Sequence, residues 1–96
     1  MDREIIWLPE AVTDLMRLRS FIQQENPEAA KKAARRIQEA IKILQNNPEA
    51  GRPVEEAMPF RDLVIPFGSG NYIVRYRETV ASLVIVRLRH SRENTF

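Results

Sequence analysis

A chain of 96 residues, 44% hydrophobic and 29% charged, suffices for one domain with a single modest core and is too short for two. No stretch approaches the ~20 apolar residues of a membrane-spanning helix, and the N-terminal "MDREIIWLPE" lacks the layout of a signal peptide, so the expected location is the cytoplasm with no membrane partner. The absence of cysteine removes disulfide scaffolds and thiol catalysis, and one histidine among scattered carboxylates gives no zinc-ligand spacing, so neither metal nor cofactor is expected.

Net charge is +2 and the pI about 9.4, with 12 of the 15 basic residues arginine. The guanidinium fork suits phosphate or carboxylate, which points to an anionic partner, either nucleic acid or an acidic protein.

"EIIWL" at residues 4–8 is short, β-branched and aromatic and is stopped by Pro9, which predicts a first strand with Ile6 and Leu8 on one side and Ile5 and Trp7 on the other. Pro9 suits a first helical position, and Ala11, Leu15, Leu18 and Ile22 recur on one face of a helix running to about Gln24. A second, longer helix starts at the Asn26 cap and Pro27, carries the stripe Ala30, Ala33, Ala34, Ile37, Ile41 and Leu44, and ends at Asn46, Asn47 and Pro48. Its early alanines allow close approach, so the two helices are expected to form an antiparallel hairpin joined near Glu25 and Asn26. Lys31, Lys32, Arg35 and Arg36 gather near the start of the second helix, where the dipole disfavours them. A solvated face partly offset by Glu28 and Glu39 is the expectation, with a binding patch as the alternative.

"GRPVEEAMPF" reads as a loop, followed by three strands, "RDLVIPF", "NYIVRYR" and "SLVIVRLRH", joined by the hairpin-length connections "GSGN" and "ETVA". The order strand, helix, helix, strand, strand, strand predicts an α+β domain with the helical hairpin covering one face of an antiparallel meander. Strict alternation in the last strand sets Leu83, Ile85, Arg87 and Arg89 against Val84, Val86, Leu88 and His90, and has "LVIV" under the helices with "RLRHSRE" running out of the core. Arg87 and Arg89 are then level with the start of the middle strand, and Arg75 and Arg77 lie toward its other end.

His90 is the only histidine and hence the only side chain suited to proton transfer near neutrality, with Arg61 and Arg92 as candidate phosphate contacts. The competing expectation is a half-buried ring at a strand end, hydrogen-bonded to backbone. Tyr72 and Tyr76 share an apolar face and are expected in the core rather than on a stacking surface. "GSG" at residues 68–70 has no helix after it and reads as a turn rather than a phosphate loop.

Trp7, Pro9, Ala11, Asp14 and Leu15 in the pattern W-x-P-x-A-x-x-D-L, followed in order by "NPEAA", "NNPEAGRPV", "FRDLVI", "YIVRY" and "VRLRHSRE", resemble the ParE/RelE superfamily of toxins from type II toxin–antitoxin modules, nearest its ParE branch. The resemblance spans nearly the whole chain. It implies a helical hairpin on an antiparallel sheet, held inactive by a cognate antitoxin in a heterotetrameric or larger complex.

RelE-like members are ribosome-dependent messenger RNA endoribonucleases, whereas ParE-like members inhibit DNA gyrase and stall replication. RelE-like enzymes place an arginine after the first aromatic of a "YRLVY"-type strand, where this chain has Ile73, and lysines in the strand before, where it offers only Arg61. Arg92 matches the basic residue of the C-terminal segment, and His90 stands in a region where some ribonuclease relatives use histidine. "GRPV", Arg61 and "RHSRE" match the ParE pattern, with Ser91 in place of its usual glycine. The resemblance thus implies a gyrase-directed toxin presenting Arg52, Arg61, Arg87, Arg89, His90 and Arg92 to its target. The alternatives are a ribonuclease using His90, Arg61 and Arg92 on the ribosome, and a degenerate toxin that keeps only antitoxin binding.

Overall fold

The computed structural model describes residues 3–93. Its elements are β1 (Glu4–Trp7), α1 (Pro9–Glu25), α2 (Pro27–Asn46), β2 (Arg52–Pro53), β3 (Arg61–Phe67), β4 (Gly70–Glu78) and β5 (Ser82–His90), with a 3-10 turn at Glu55–Ala57. The segment read as a loop therefore contains a two-residue strand, paired antiparallel with Asp62 and Arg61. The strands form one sheet in the order β1-β5-β4-β3-β2, in which β1 lies parallel to β5 and the other pairs are antiparallel.

Local signals set the hairpin of helices. Pro9 opens α1, and Asn26 both ends it, donating its N–H to the Ile22 carbonyl at 2.8 Å, and caps α2, accepting from the Glu28 and Ala29 amides at 3.1 and 3.2 Å. The apolar stripe of α2 is buried at Ala30, Ala33, Ile37, Ile41 and Leu44 and half-buried at Ala34, and Ala11 and Leu18 of α1 are buried too. Both pack onto one face of the sheet, where Tyr72, Val74 and Tyr76 of β4 sit between Leu63 and Ile65 of β3 and Ile85 and Leu88 of β5. Asn47 and the turn after it bring Gly51 against the Tyr76 ring: the Tyr76 hydroxyl donates to the Pro48 carbonyl at 2.7 Å and accepts the Gly51 N–H at 2.8 Å.

Strict alternation in the last strand does not hold. Tyr76 faces Ile85 while Arg75 faces Arg87, so Val86 is an extra residue on β5, a β-bulge. The bulge reverses the phase. Leu88 and His90 join Leu83 and Ile85 on the helix-covered face, and Arg89 moves to the opposite face beside Ile73. Arg87 stands directly across from Arg75 rather than level with the start of β4. The core consequently extends through Leu88, which is fully buried, instead of ending at Val86.

Candidate functional site

The C-terminal end of β5 is secured by a carboxylate. β1 stops at Trp7 and its last contact is the Leu8 N–H on the Ile85 carbonyl at 3.0 Å, so β5 beyond Ile85 has no strand on that side. Asp14, projecting from α1 and only 4% exposed, takes the missing strand's place. Its Oδ2 accepts the Leu88 N–H at 2.9 Å and Arg87 Nε at 2.7 Å, and its Oδ1 accepts Arg87 Nη2 and Arg17 Nη2, both at 3.2 Å. Burial pushes the Asp14 carboxyl up, but the bonds from Arg87, the Leu88 amide and Arg17 outweigh it and hold the group below the ordinary aspartate value. The same Asp14 bond holds Arg87 firmly charged.

The chain then folds back on itself. The Glu93 N–H donates to the His90 carbonyl at 2.9 Å, and the Glu93 carboxylate accepts the His90 N–H at 2.8 Å while pairing with Arg17. Arg89 closes the turn through its Nη1 on the Glu93 carbonyl at 2.8 Å.

This turn fixes the histidine. The His90 ring lies edge-on to Tyr72 with centroids 5.3 Å apart, and its Nδ1 accepts the Arg92 N–H at 3.1 Å, which leaves Nε2 to carry the proton of the neutral ring. The ring is half-buried at the strand end with a backbone bond, as one of the two expectations had it, and it stands at an open cleft. That cleft, of about 410 Å³, lies between α1 and the end of β5, with Leu18, Phe21, Ile22 and Tyr72 as apolar walls and His90 and Arg92 at its rim. Phe21 is 67% exposed there. Arg92 reaches across to the β3–β4 turn through Nη2 on Ser69 Oγ at 3.1 Å. Burial pushes the Tyr72 phenol up, as it does that of Tyr76, so both keep their protons near neutrality.

The other candidates go elsewhere. Arg61 opens β3 opposite Tyr76 and donates Nη1 to the Gly51 carbonyl at 2.9 Å. His90 lies opposite Tyr72, four residues along β4 and two strands over, which separates it from Arg61 by about 16 Å. The structure therefore unites His90 and Arg92 but does not bring Arg61 to them. Arg52 is exposed on β2, and Arg87 and Arg89 are engaged in holding the β5 end. Among the described residues no three His, Cys, Asp or Glu side chains converge as a metal site.

Sequence reasoning passed over Asp14, Glu93 and Phe21 as site residues. Asp14 did leave a signal: it stands three residues after Ala11 and four before Leu18, a carboxylate on the core face of a helix, which demands partners. Glu93 and Phe21 left none.

The chain matches, over residues 5–95, the family described as ParE toxin of type II toxin-antitoxin system, parDE. It is 34% identical to Toxin RelE3 of Caulobacter vibrioides over 88% of this chain and 90% of that protein, and 33% identical to Toxin RelE2 of the same bacterium over 92% and 94%. Among solved structures it is similar to a chain of the chromosomal ParDE TA system from P. aeruginosa, with a TM-score of 0.78 and 27% identity over 92% of this chain and 95% of that one. The strand, the helical hairpin and the meander with its β5 end tied to α1 are thus a toxin fold, and the chain belongs to the ParE toxin family of type II toxin–antitoxin systems, which implies an antitoxin as its partner.

Proposed function

We propose that this toxin acts as a binder of DNA gyrase that stops replication without bond-breaking chemistry of its own, and that the β5 end with its cleft is the surface it presents. The observation that carries this reading is the separation of Arg61 from His90 and Arg92. Cleaving RNA through its 2′-hydroxyl calls for a base and several fixed cations around one phosphate. Here the sequence supplies Ile73 where RelE-like enzymes carry arginine, and the remaining cation of the expected set is bonded to the Gly51 carbonyl at the far end of β4. A rigid rim of His90 and Arg92 over an apolar cleft suits a protein contact, in which an aromatic or arginine anchor fills a pocket beside fixed polar groups.

The names of the relatives divide between the RelE and ParE branches, so the reading rests on the geometry. One observation favours the ribonuclease alternative. His90 and Arg92 do share a rim, with the imidazole tautomer fixed, as an acid–base and phosphate pair would need.

A supercoiling assay with antitoxin-free protein, run beside a translation reaction in which message integrity is followed, separates the two. The expected result is lost supercoiling or trapped DNA cleavage with intact message, weakened by Arg92→Ala. Cut message with normal supercoiling, abolished by His90→Ala, overturns the proposal.

A further inference from the structure

The cations of this protein fall into two groups. On the sheet and at the β5 end most arginines are engaged: Arg3 with Glu78, Arg75 with Asp62, Arg17 and Arg87 with Asp14, and Arg92 with Ser69. On α2 the reverse holds. Lys31, Lys32, Arg35, Arg36 and Lys42 are exposed, and among the described residues none has an ion pair or hydrogen bond. The pairs that the sequence suggested with Glu28 and Glu39 do not form.

These five side chains point away from the core. At 3.6 residues per turn they occupy an arc of about 140° opposite the buried stripe and extend over about 17 Å of helix. The arrangement is unfavourable for the isolated protein. Lys31 faces Arg35 and Lys32 faces Arg36 at like-charge i,i+4 spacing, and the five cations outnumber the two carboxylates, Glu28 and Glu39, that share the face. An anion bound along this face would relieve that repulsion.

We propose that the outward face of α2 binds the phosphate backbone of duplex DNA. The composition of the face selects the partner. Its outward positions hold five cations against two carboxylates, Glu28 and Glu39, with one exposed apolar side chain, Ile43, at the end, and no aromatic ring on which the bases of a single strand could stack. Cations at i,i+4 rise by about 6 Å per step, within reach of successive backbone phosphates of a double helix that presents one charge per about 1.7 Å of axis. The face begins at the same end of the molecule as His90, because Ala30 and Ala33 pack beside Tyr72. The inference requires no gyrase and stands or falls apart from the gyrase reading.

The test is anisotropy of a labelled duplex of arbitrary sequence titrated with antitoxin-free protein between about 50 and 200 mM salt. Four or five phosphate contacts predict a log–log salt slope of about −3.5 to −4.5. The variant Lys31→Gln/Lys32→Gln/Arg35→Gln/Arg36→Gln, whose altered side chains are all exposed, is expected to reduce that slope to about −1 and to weaken low-salt binding at least about tenfold. Arg77→Gln, on the sheet side, is expected to leave both unchanged. Unaltered helical circular dichroism verifies that the quadruple variant folds. Wild-type protein without salt-dependent duplex binding, a quadruple variant that binds as wild type, or equal displacement by a polyglutamate chain each overturns the proposal.

Discussion

Replacing Asp14 by asparagine keeps the shape of the side chain and removes its charge, so it isolates what the carboxylate does for the end of β5. In the native protein each oxygen serves two donors: Oδ2 takes the Leu88 amide and Arg87 Nε, and Oδ1 takes Arg87 Nη2 and Arg17 Nη2. An asparagine amide must turn its NH₂ toward one of these pairs, so in either orientation two donors face a donor. The guanidinium groups of Arg17 and Arg87 are 43% and 34% exposed and can turn to water, whereas the Leu88 amide is buried and cannot.

The expected orientation therefore keeps the oxygen on Leu88 and loses the charge-assisted bonds on the other side, at a cost of about 2 kcal/mol. For a domain of this size that lowers Tm by about 10 °C. Thermal unfolding followed by circular dichroism measures it. The Asp14 carboxyl is held below its ordinary 3.8 in the folded state, so its contribution is complete above that value and disappears as pH falls through the folded one. The gap between wild type and Asp14→Asn should accordingly be full at neutral pH and close in acid. A gap under about 0.5 kcal/mol at neutral pH, the usual scatter of surface substitutions, would refute the argument, as would one that persists unchanged in acid.

Tyr76→Phe removes the hydroxyl shared by the Pro48 carbonyl and the Gly51 amide and leaves a buried N–H without an acceptor; a loss of about 1–3 kcal/mol is expected as a lower urea midpoint at unchanged slope, and an unmoved midpoint contradicts it. Gly70→Ala places a Cβ 2.7 Å from His90 Cε1 and 2.8 Å from Nε2, so the ring must shift from its present position. The loss is about 1–3 kcal/mol, with a displaced Arg92 amide resonance as its signature; an unshifted amide means that His90 is not held as described. Asn26→Ala uncaps α2 and is expected to cost about 1 kcal/mol, recovered in Asn26→Ser, by denaturant unfolding; equal stability of the alanine and serine variants would show that the cap does not matter.

Much of this fold was legible in the chain because the signals are local. The stripe from Ala30 to Leu44, the Asn26 cap and the prolines at helix starts act within a turn or two of helix, and the three late strands carry β-branched and aromatic runs bounded by turn residues. The site was legible only in part. His90 and Arg92 are two residues apart, and one turn holds them together wherever the strand ends. Arg61 is linked to them only through the pairing of three strands, and that register sends it to the far end of β4.

Sequence by itself determined the order of all the elements but the short β2, the two helical faces, the burial of Tyr72 and Tyr76 and the family. Tertiary structure decided the phase of β5, because an extra residue at Val86 is visible only against β4, and a one-residue change of register exchanges every side chain beyond it between core and outer face. It also decided the role of Asp14. A carboxylate on a helical core face states a need for partners, but the partners that meet it, the Leu88 amide and Arg87, lie more than seventy residues away, and only folding brings an unpaired strand edge to them.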